Sequence, residues 1–156
     1  MWLSLMHGPY VKKYVDSVFS DQQAIIDLAI AYTWALDTKQ FEQLRSVFAP
    51  DATADLRGVH CDDQDAIIAR ISGGVGRLDA TQHLVSNHQV RVDGDTATHR
   101  CHLQSQHVKR GTPGGDNFLI GGIYDDRLAR TSDGWRITYR TLIEVWTDGN
   151  PAVIAR

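Results

Sequence analysis

The sequence has only two cysteines, no cluster of basic residues and no long hydrophobic run. Cys61 and Cys101 are isolated, without the Cys-x-x-Cys spacing of a zinc knuckle or the even set of cysteines that forms a disulfide framework. We therefore expect two buried, reduced side chains. A reducing compartment is the simplest location for such a chain, so we expect a cytoplasmic protein.

The charge pattern offers little attraction for polyanions. There are 16 basic and 19 acidic residues, which gives a formal charge of −3, and no basic surface patch is indicated. No window approaches the roughly 18 apolar residues of a membrane span. The apolar start at residues 1–6 lacks the basic stretch and the length of a secretory leader. We therefore expect no nucleic acid partner, no membrane partner and no export.

The length and composition indicate a single folded domain. The chain has 156 residues, of which 42% are hydrophobic and 22% are charged, close to ordinary globular values. We divide it into an N-terminal arm over 1–19, a domain over 20–150 and a C-terminal tail over 151–156. A helix is predicted within the arm, around Tyr10 to Phe19.

The first part of the domain has helical periodicity. Ser20–Gln23 has the form of a capping box, which predicts a helix start. Apolar residues follow at three- and four-residue steps, and the helix is expected to end near Asp37. These inward-facing residues are Ile25, Leu28, Ala29, Tyr32 and Leu36.

Two further helices are predicted. One runs from Phe41 to Phe48, pairs with the first helix as a hairpin, and stops before Pro50 because the residue preceding proline avoids the α region. The other starts at the acidic residues 62–65, runs through Ile71, and is ended by the glycine-rich segment 72–76.

The second part of the domain has long β-like runs. A short strand over 52–57 precedes four strands, over 83–92, 96–108, 118–130 and 135–147. Glycines at the tight turns mark two hairpins, while 109–117 is a longer link. Gly121-Gly122 predicts a bulge or a sharp bend. Helices followed by strands indicate an α+β fold with helices on one face of a mostly antiparallel sheet.

Several local strings, in this order and spacing, resemble the SnoaL-like family of the nuclear-transport-factor-2-like superfamily. The resemblance covers about residues 20 to 148. The strings are Tyr32-x4-Asp37, Phe48-Ala49-Pro50-Asp51-Ala52, His83-Leu84-Val85-Ser86-Asn87, Val92-Asp93-Gly94-Asp95-Thr96-Ala97, and Gly134-Trp135-Arg136-Ile137 followed by Arg140.

The resemblance implies a cone: a curved mixed, mostly antiparallel sheet wrapped around an N-terminal helix hairpin and a third helix, enclosing an apolar cavity. Enzymes of this family include scytalone dehydratase, a bile-acid 7α-dehydratase and hexachlorocyclohexane dehydrochlorinase. Binding proteins and accessory subunits share the scaffold, so the fold alone does not establish an activity.

The resemblance also implies a site. Asp37 and His83 match the catalytic Asp/His pair, Tyr32 matches a substrate-contacting residue, and Arg140 matches a cavity arginine. Either Ser105 or His107 would supply a further polar group on the middle strand. Trp34 and Trp146 are candidates for the cavity mouth.

These residue types suit proton transfer without a cofactor or a metal. An imidazole titrates near neutral pH, and a carboxylate bonded to one ring nitrogen leaves the other free to accept a proton. An arginine could hold a leaving group or an enolate oxygen. The leading hypothesis is therefore a dehydratase-like or dehydrohalogenase-like lyase, or an isomerase, for a small hydrophobic substrate.

Structural explanations remain open for each residue. Asp37 could simply end the first helix, His83 could be a satisfied strand histidine, and Tyr32 could belong to the core. Arg140 could pair with an acid on the same or a neighbouring strand; the candidates are Asp125, Asp126 and Glu144. The two tryptophans could be packing residues.

A metal site is not expected, because the spacings His99-x2-His102 and His102-x4-His107 place side chains on alternating strand faces. The rival functions are a non-catalytic ligand-binding or accessory protein, and an assembly subunit like the small chain of ring-hydroxylating dioxygenases. Hydrophobic residues on both faces of the last strand also predict a homo-oligomer, a dimer or a trimer.

Overall fold

A computed structural model describes the backbone of residues 9–155 and the side chains of residues 17–155. The first element is a long helix, α1 (Pro9–Asp37). The predicted helix start at Ser20 is wrong, because the helix is continuous from Pro9, a residue that suits the first helical turn. No glycine or proline interrupts residues 10–37, and serine is tolerated within a helix. Residues 1–8 of the predicted arm lie outside the described part.

The inward face of α1 is the predicted one. Ile25, Ala29, Tyr32 and Leu36 are buried. The helix ends at Asp37, where backbone N–H groups of residues 38–40 return to carbonyls of the last helical turn. This places the Asp37 carboxylate at the point where the chain leaves the helix.

The second predicted helix is shorter than expected. A 3-10 helix spans Phe41–Ser46, and Phe48 already begins a strand. Pro50 keeps the preceding backbone extended, so buried Phe48 enters the sheet instead of extending the helix. The hairpin partner of α1 is therefore this single short helix.

The next helix, α2 (Gln64–Val75), begins at the Asp63 cap, whose side chain accepts a hydrogen bond from the N–H of Ala66 at 2.8 Å. The helix runs four residues past the predicted last residue, Ile71, and stops at Val75, inside the segment 72–76 that was predicted to end it. Gly73 and Gly74 face open space, and helix interiors tolerate glycine at a cost of about 1 kcal/mol each.

In the described part of the chain, six strands form one curved, open mixed sheet. They are β1 (Phe48–Leu56), β2 (Val59–Cys61), β3 (Ala80–Asp93), β4 (Thr96–Val108), β5 (Asn117–Thr131) and β6 (Gly134–Gly149). Their order in the sheet is β2-β1-β6-β5-β4-β3. Only β1 and β6 run parallel; the other neighbours are antiparallel. The predicted α+β class is confirmed.

Only β2 was not predicted, because three residues are too short to show a period. It pairs with β1 through a turn at Arg57-Gly58, where both residues have positive φ.

The predicted bulge at Gly121-Gly122 is confirmed by a shift in the register between β5 and β6. A Cβ atom at Gly122 would lie 2.5 Å from the carbonyl oxygen of Ile143, so the close approach of the two strands requires glycine. A second bulge interrupts the β3–β4 pairing between Ser86 and Gln89. Such bulges bend a sheet, as a cone requires.

The main core lies between the helices and the concave face of the sheet. A smaller cluster joins Leu78, Phe118 and Ile120 to Val153 in the final 3-10 helix, Pro151–Val153. Cys61 and Cys101 are free and buried, as expected. Within residues 9–155, no helix is long and apolar enough to cross a membrane.

Candidate active site

The structure brings Asp37 and His83 into direct contact. Asp37 Oδ1 lies 2.6 Å from His83 Nδ1, and Asp37 Oδ2 accepts the backbone N–H of His83 at 2.8 Å. The Thr81 hydroxyl donates a third hydrogen bond to Oδ1 at 2.8 Å. Three donors therefore fix the carboxylate against the start of β3.

The electrostatics favour an anionic Asp37. Burial by itself raises the pKa of Asp37, but the hydrogen bonds from the ring and backbone of His83 and from Thr81 outweigh it, so the pKa lies below its ordinary value. A carboxylate only accepts, so Nδ1 of His83 is the donor in this contact, and in the neutral form of the ring the lone pair is on Nε2. The His83 side chain is 4% exposed and that of Asp37 is 18% exposed.

His83 lines a cavity of about 330 Å³ whose other walls are largely apolar, with Leu36, Leu56, Leu103 and Ile120 among them. Asp37 is not among the lining residues and lies behind the imidazole. An imidazole thus borders the cavity, with a carboxylate bonded to its far nitrogen, an arrangement that suits proton transfer to or from a bound molecule.

Three other predicted residues also line this cavity: Tyr32, Ser105 and His107. The sequence had left Ser105 and His107 as alternatives, and both contribute because they lie two residues apart on the inner face of β4. Tyr32 is both a cavity residue and a core residue.

His107 is a neutral group beside His83. The two rings meet edge to face with their centroids 5.8 Å apart, and His107 Nδ1 lies 3.3 Å from the carbonyl oxygen of Phe118. Burial, with a smaller contribution from the charge of His83, lowers the pKa of His107 to about 4. At neutral pH its Nδ1–H can donate to Phe118, which leaves Nε2 as an acceptor.

This shift predicts a pH dependence of stability. Because the unfolded state binds a proton on His107 below about pH 6.5 while the folded state does so only near pH 4, the free energy of unfolding should fall as the pH drops through this range. Urea unfolding at several pH values should show the fall, and His107→Gln should reduce its slope. An equal slope in His107→Gln and in the surface control His102→Gln would contradict the assignment.

Arg140 is not a cavity residue, which corrects the role implied by the resemblance. Its guanidinium is fully buried and bonds Asp126 through two nitrogens, Nε to Oδ1 at 2.7 Å and Nη2 to Oδ2 at 2.8 Å. The physical reason is register: Asp126 on β5 and Arg140 on β6 are directly opposed. Of the three acids considered as partners of Arg140, Asp126 is the one that it pairs with.

Two aromatic rings enclose this guanidinium. The ring centroids of Tyr32 and Tyr124 lie 4.3 and 4.2 Å from the central carbon of Arg140. Both tyrosines line the cavity, so the buried ion pair supports its wall. Tyr124 was not predicted; its place on the inner face of β5, in a run with buried Ile120, is the signal that could have identified it.

The two tryptophans do not line the cavity either. Trp34 is 64% exposed on the outer face of α1, and Trp146 is 46% exposed on β6. The Trp146 ring lies over Gly121, where the missing side chain makes room for it. The position of Trp34 follows from the helical period, because it lies two residues from each of the inward-facing Tyr32 and Leu36. Trp146 lies in the stretch 143–149, where β6 is exposed throughout.

Three arginines at the cavity were missed, namely Arg57, Arg70 and Arg77. Arg57 pairs with Glu144, and Arg77 donates to the carbonyl oxygens of Gly74, Ile154 and Ala155. Arg57 was missed because it lies in an unpredicted turn. Arg70 lies within α2, one residue before buried Ile71, at a position that the sequence interpretation did not consider.

Comparisons with known proteins agree with this architecture. A profile described as a SnoaL-like domain matches residues 17–141. An uncharacterized protein of Mycobacterium tuberculosis is 37% identical over 124 residues, which cover 78% of this chain and 83% of that protein.

Three solved structures share the fold at low sequence identity. A Novosphingobium aromaticivorans protein provisionally named a scytalone dehydratase is 22% identical, with a TM-score of 0.77 over 87% of this chain and 91% of that one. A hexachlorocyclohexane dehydrochlorinase is 17% identical, with a TM-score of 0.76 over 87% and 92%. A Salmonella enterica protein of the nuclear transport factor 2-like superfamily is 16% identical, with a TM-score of 0.75 over 83% and 94%.

Proposed function

The chain belongs to the SnoaL-like domain family, and from that premise we propose that it is a lyase or isomerase that acts without a cofactor on a small hydrophobic molecule. Elimination is the first reaction class to consider, because structures named as a dehydratase and a dehydrochlorinase have the same fold. The observation that carries the proposal is the 2.6 Å bond from Asp37 to His83, whose ring borders an apolar cavity.

In the proposed reaction, His83 Nε2 takes a proton from a carbon of the bound substrate. The electron pair of the broken C–H bond forms the new double bond, and the leaving group departs with the pair of its own bond. For a hydroxyl leaving group, the imidazolium returns the proton and water is released. For an isomerisation, the same proton returns to another carbon. Asp37 stabilises the imidazolium between these two steps.

Tyr32 is the proposed donor to a substrate oxygen. Burial raises the pKa of Tyr32, so its hydroxyl keeps its proton at neutral pH and can donate a hydrogen bond. Since Arg140 is held by Asp126 behind the tyrosine rings, its proposed role is to fix Tyr32 and Tyr124 in place instead of binding a leaving group. Tyr32, Ser105 and His107 then provide the polar contacts of an otherwise apolar site.

A ligand-binding protein without catalysis is the second candidate. The Asp37 carboxylate also accepts the backbone N–H of His83 and the hydroxyl of Thr81, contacts that tie the end of α1 to β3. These bonds would be useful to the fold even if no proton were ever transferred. Both candidates use the same cavity, so binding alone does not distinguish them.

Deuterium incorporation in D2O distinguishes them. The protein would be incubated with a panel of cyclic ketones and β-hydroxy ketones, with binding followed by calorimetry and exchange or water loss by mass spectrometry. We expect catalysed exchange or elimination for at least one bound compound. The cavity-filling variant Leu103→Trp should lose both binding and turnover, while His60→Gln should lose neither. Tight binding without exchange or elimination would support the binding protein.

A further inference from the structure

A second Asp–His pair lies inside the sheet, away from the cavity of the proposed reaction. His99 on β4 and Asp126 on β5 are both fully buried, and His99 Nδ1 lies 2.9 Å from Asp126 Oδ2. Since the carboxylate can only accept, the His99 ring carries its proton on Nδ1 and has a lone pair on Nε2. The proposed reaction leaves this pair without a role in proton transfer.

The bulge in β3 brings a second histidine to that lone pair. Ser86 pairs with His102 and Gln89 pairs with Arg100, so Asn87 and His88 together oppose Cys101. Asn87 adopts a positive φ of 55°, which turns the chain at this point. His88 Nδ1 consequently lies 2.9 Å from His99 Nε2, with the two rings stacked at a centroid distance of 5.2 Å.

Cys101 completes the cluster. It follows His99 by two residues on β4, so both side chains point to the same face of the sheet. One nitrogen of each histidine and the Cys101 sulfur all lie within 4.8 Å of one another. We propose that His88, His99 and Cys101 bind a zinc ion through Nδ1, Nε2 and Sγ.

The donor set suits zinc. Two imidazoles and one thiolate are typical ligands of this ion, with bonds of about 2.0–2.3 Å. A metal-binding histidine usually donates its other N–H to a carboxylate, and Asp126 already accepts that bond from His99. In a tetrahedral site these ligand atoms stand roughly 3.3–3.7 Å apart. The two histidine nitrogens, now 2.9 Å apart, would separate slightly, and the Cys101 sulfur, which lies within 4.8 Å of both, would adjust its distance to complete the coordination.

The protons balance on binding. The Cys101 thiol releases its proton to solvent, and His88 moves its ring proton from Nδ1 to Nε2 so that the Nδ1 lone pair faces the ion. His99 keeps its proton on Nδ1. The buried pair of Asp126 and Arg140 contributes no net charge beside the site, so the ion and the thiolate together add one positive charge.

The position of His88 also gives an ion a route to the proposed site. It lines a second cavity of about 380 Å³, together with Gln22 and Ile26 from α1 and residues 89–91 of β3. An ion can therefore approach from this side, and a water molecule from the same cavity can fill the fourth position that three protein ligands leave open.

The prediction that no metal is bound was based on the spacing of His99, His102 and His107 along one strand. On a regular strand these side chains alternate between faces, and that argument still holds. The proposed ligands instead combine one face of β4 with a residue that a bulge in the neighbouring strand turns inward. No single-strand spacing contains this information.

Titration of the full chain with Co²⁺ under reducing conditions tests the proposal. We expect one equivalent to produce a thiolate-to-cobalt charge-transfer band that Zn²⁺ removes by displacement. Cys101→Ser should abolish the band, whereas Cys61→Ser, a change at the other buried cysteine, should leave it intact. His88→Gln should weaken Co²⁺ binding by about tenfold or more.

The surface cluster of His60, Asp55 and Asp62 is the competing site, because its side chains already contact one another in the open. His60→Ala removes it and serves as a further control. Cobalt binding without a thiolate band, binding lost in His60→Ala, or no binding at all would overturn the proposal. If Cys101→Ser fails to fold, the half-buried His88→Gln variant decides the question, and unchanged affinity there would also overturn it.

Discussion

Replacing Asp126 by alanine is expected to lower the free energy of unfolding by about 3–5 kcal/mol. The substitution leaves the Arg140 guanidinium buried between Tyr32 and Tyr124 without its counterion. It also removes the acceptor of His99 Nδ1–H. Urea denaturation followed by fluorescence measures the loss.

The neighbouring residue provides the matched control. Asp125 is half exposed and lies 3.6 Å from Arg100, so Asp125→Ala should change stability by less than about 1 kcal/mol. The double variant Asp126→Leu/Arg140→Met removes both charges and should recover much of the loss. Equal effects of Asp126→Ala and Asp125→Ala would show that the buried ion pair does not hold this part of the core together.

That ion pair also marks a limit of sequence interpretation. Asp125, Asp126 and Glu144 were all candidates for Arg140, because a strand pattern does not tell which residue of the neighbouring strand lies opposite a given one. The bulge at Gly121-Gly122 shifts the register between β5 and β6. Only the paired strands show that Asp126 is the residue opposite Arg140.

The helix and strand content was more predictable than the helix boundaries. The alternating period belongs to strands and the three-to-four-residue period belongs to helices, so α1, α2 and β3–β6 could be predicted. The start of α1 and the end of α2 could not, because Ser20 and Gly73-Gly74 are permitted inside a helix when neighbouring turns continue it. The 3-10 helix at Phe41–Ser46 shows the opposite effect. Here the helical pattern continues to Phe48, but the helix ends earlier because Phe48 begins a strand and is buried in the sheet.

The Asp37–His83 contact at the centre of the candidate site was predicted, whereas the arginines at the edge of the cavity were not. The family resemblance named Asp37, His83 and Tyr32, and the local pattern gave the helix end, the strand start and the inward helix face on which they lie. Arg57 and Arg77 lie in connecting segments, where sequence period carries no information about direction. The cavity therefore combines residues that the resemblance named with others that only the folded chain brings together.

If His83 is the base, His83→Gln should reduce the rate of substrate deuterium exchange by about 10²–10⁴-fold without a matching loss of binding. Glutamine retains polarity and approximate volume but has no basic nitrogen. Asp37→Asn should produce a smaller reduction, because the ring of His83 remains while the charge that stabilises its imidazolium is removed. Exchange rates by mass spectrometry and affinities by calorimetry, measured on the same samples, separate catalysis from binding.

A surface pair of the same chemistry controls for nonspecific effects. His60 Nδ1 lies 2.8 Å from Asp55 Oδ1, a contact like that of His83 and Asp37 but in the open. His60→Gln and Asp55→Asn should leave the exchange rate unchanged, because an exposed imidazole has no bound substrate to act on. The His83→Gln protein could fold, bind the ligand and still exchange the ligand's protons at the wild-type rate. The Asp37–His83 contact would then serve only to link α1 to β3. The cavity would then be a binding site whose polar groups serve recognition.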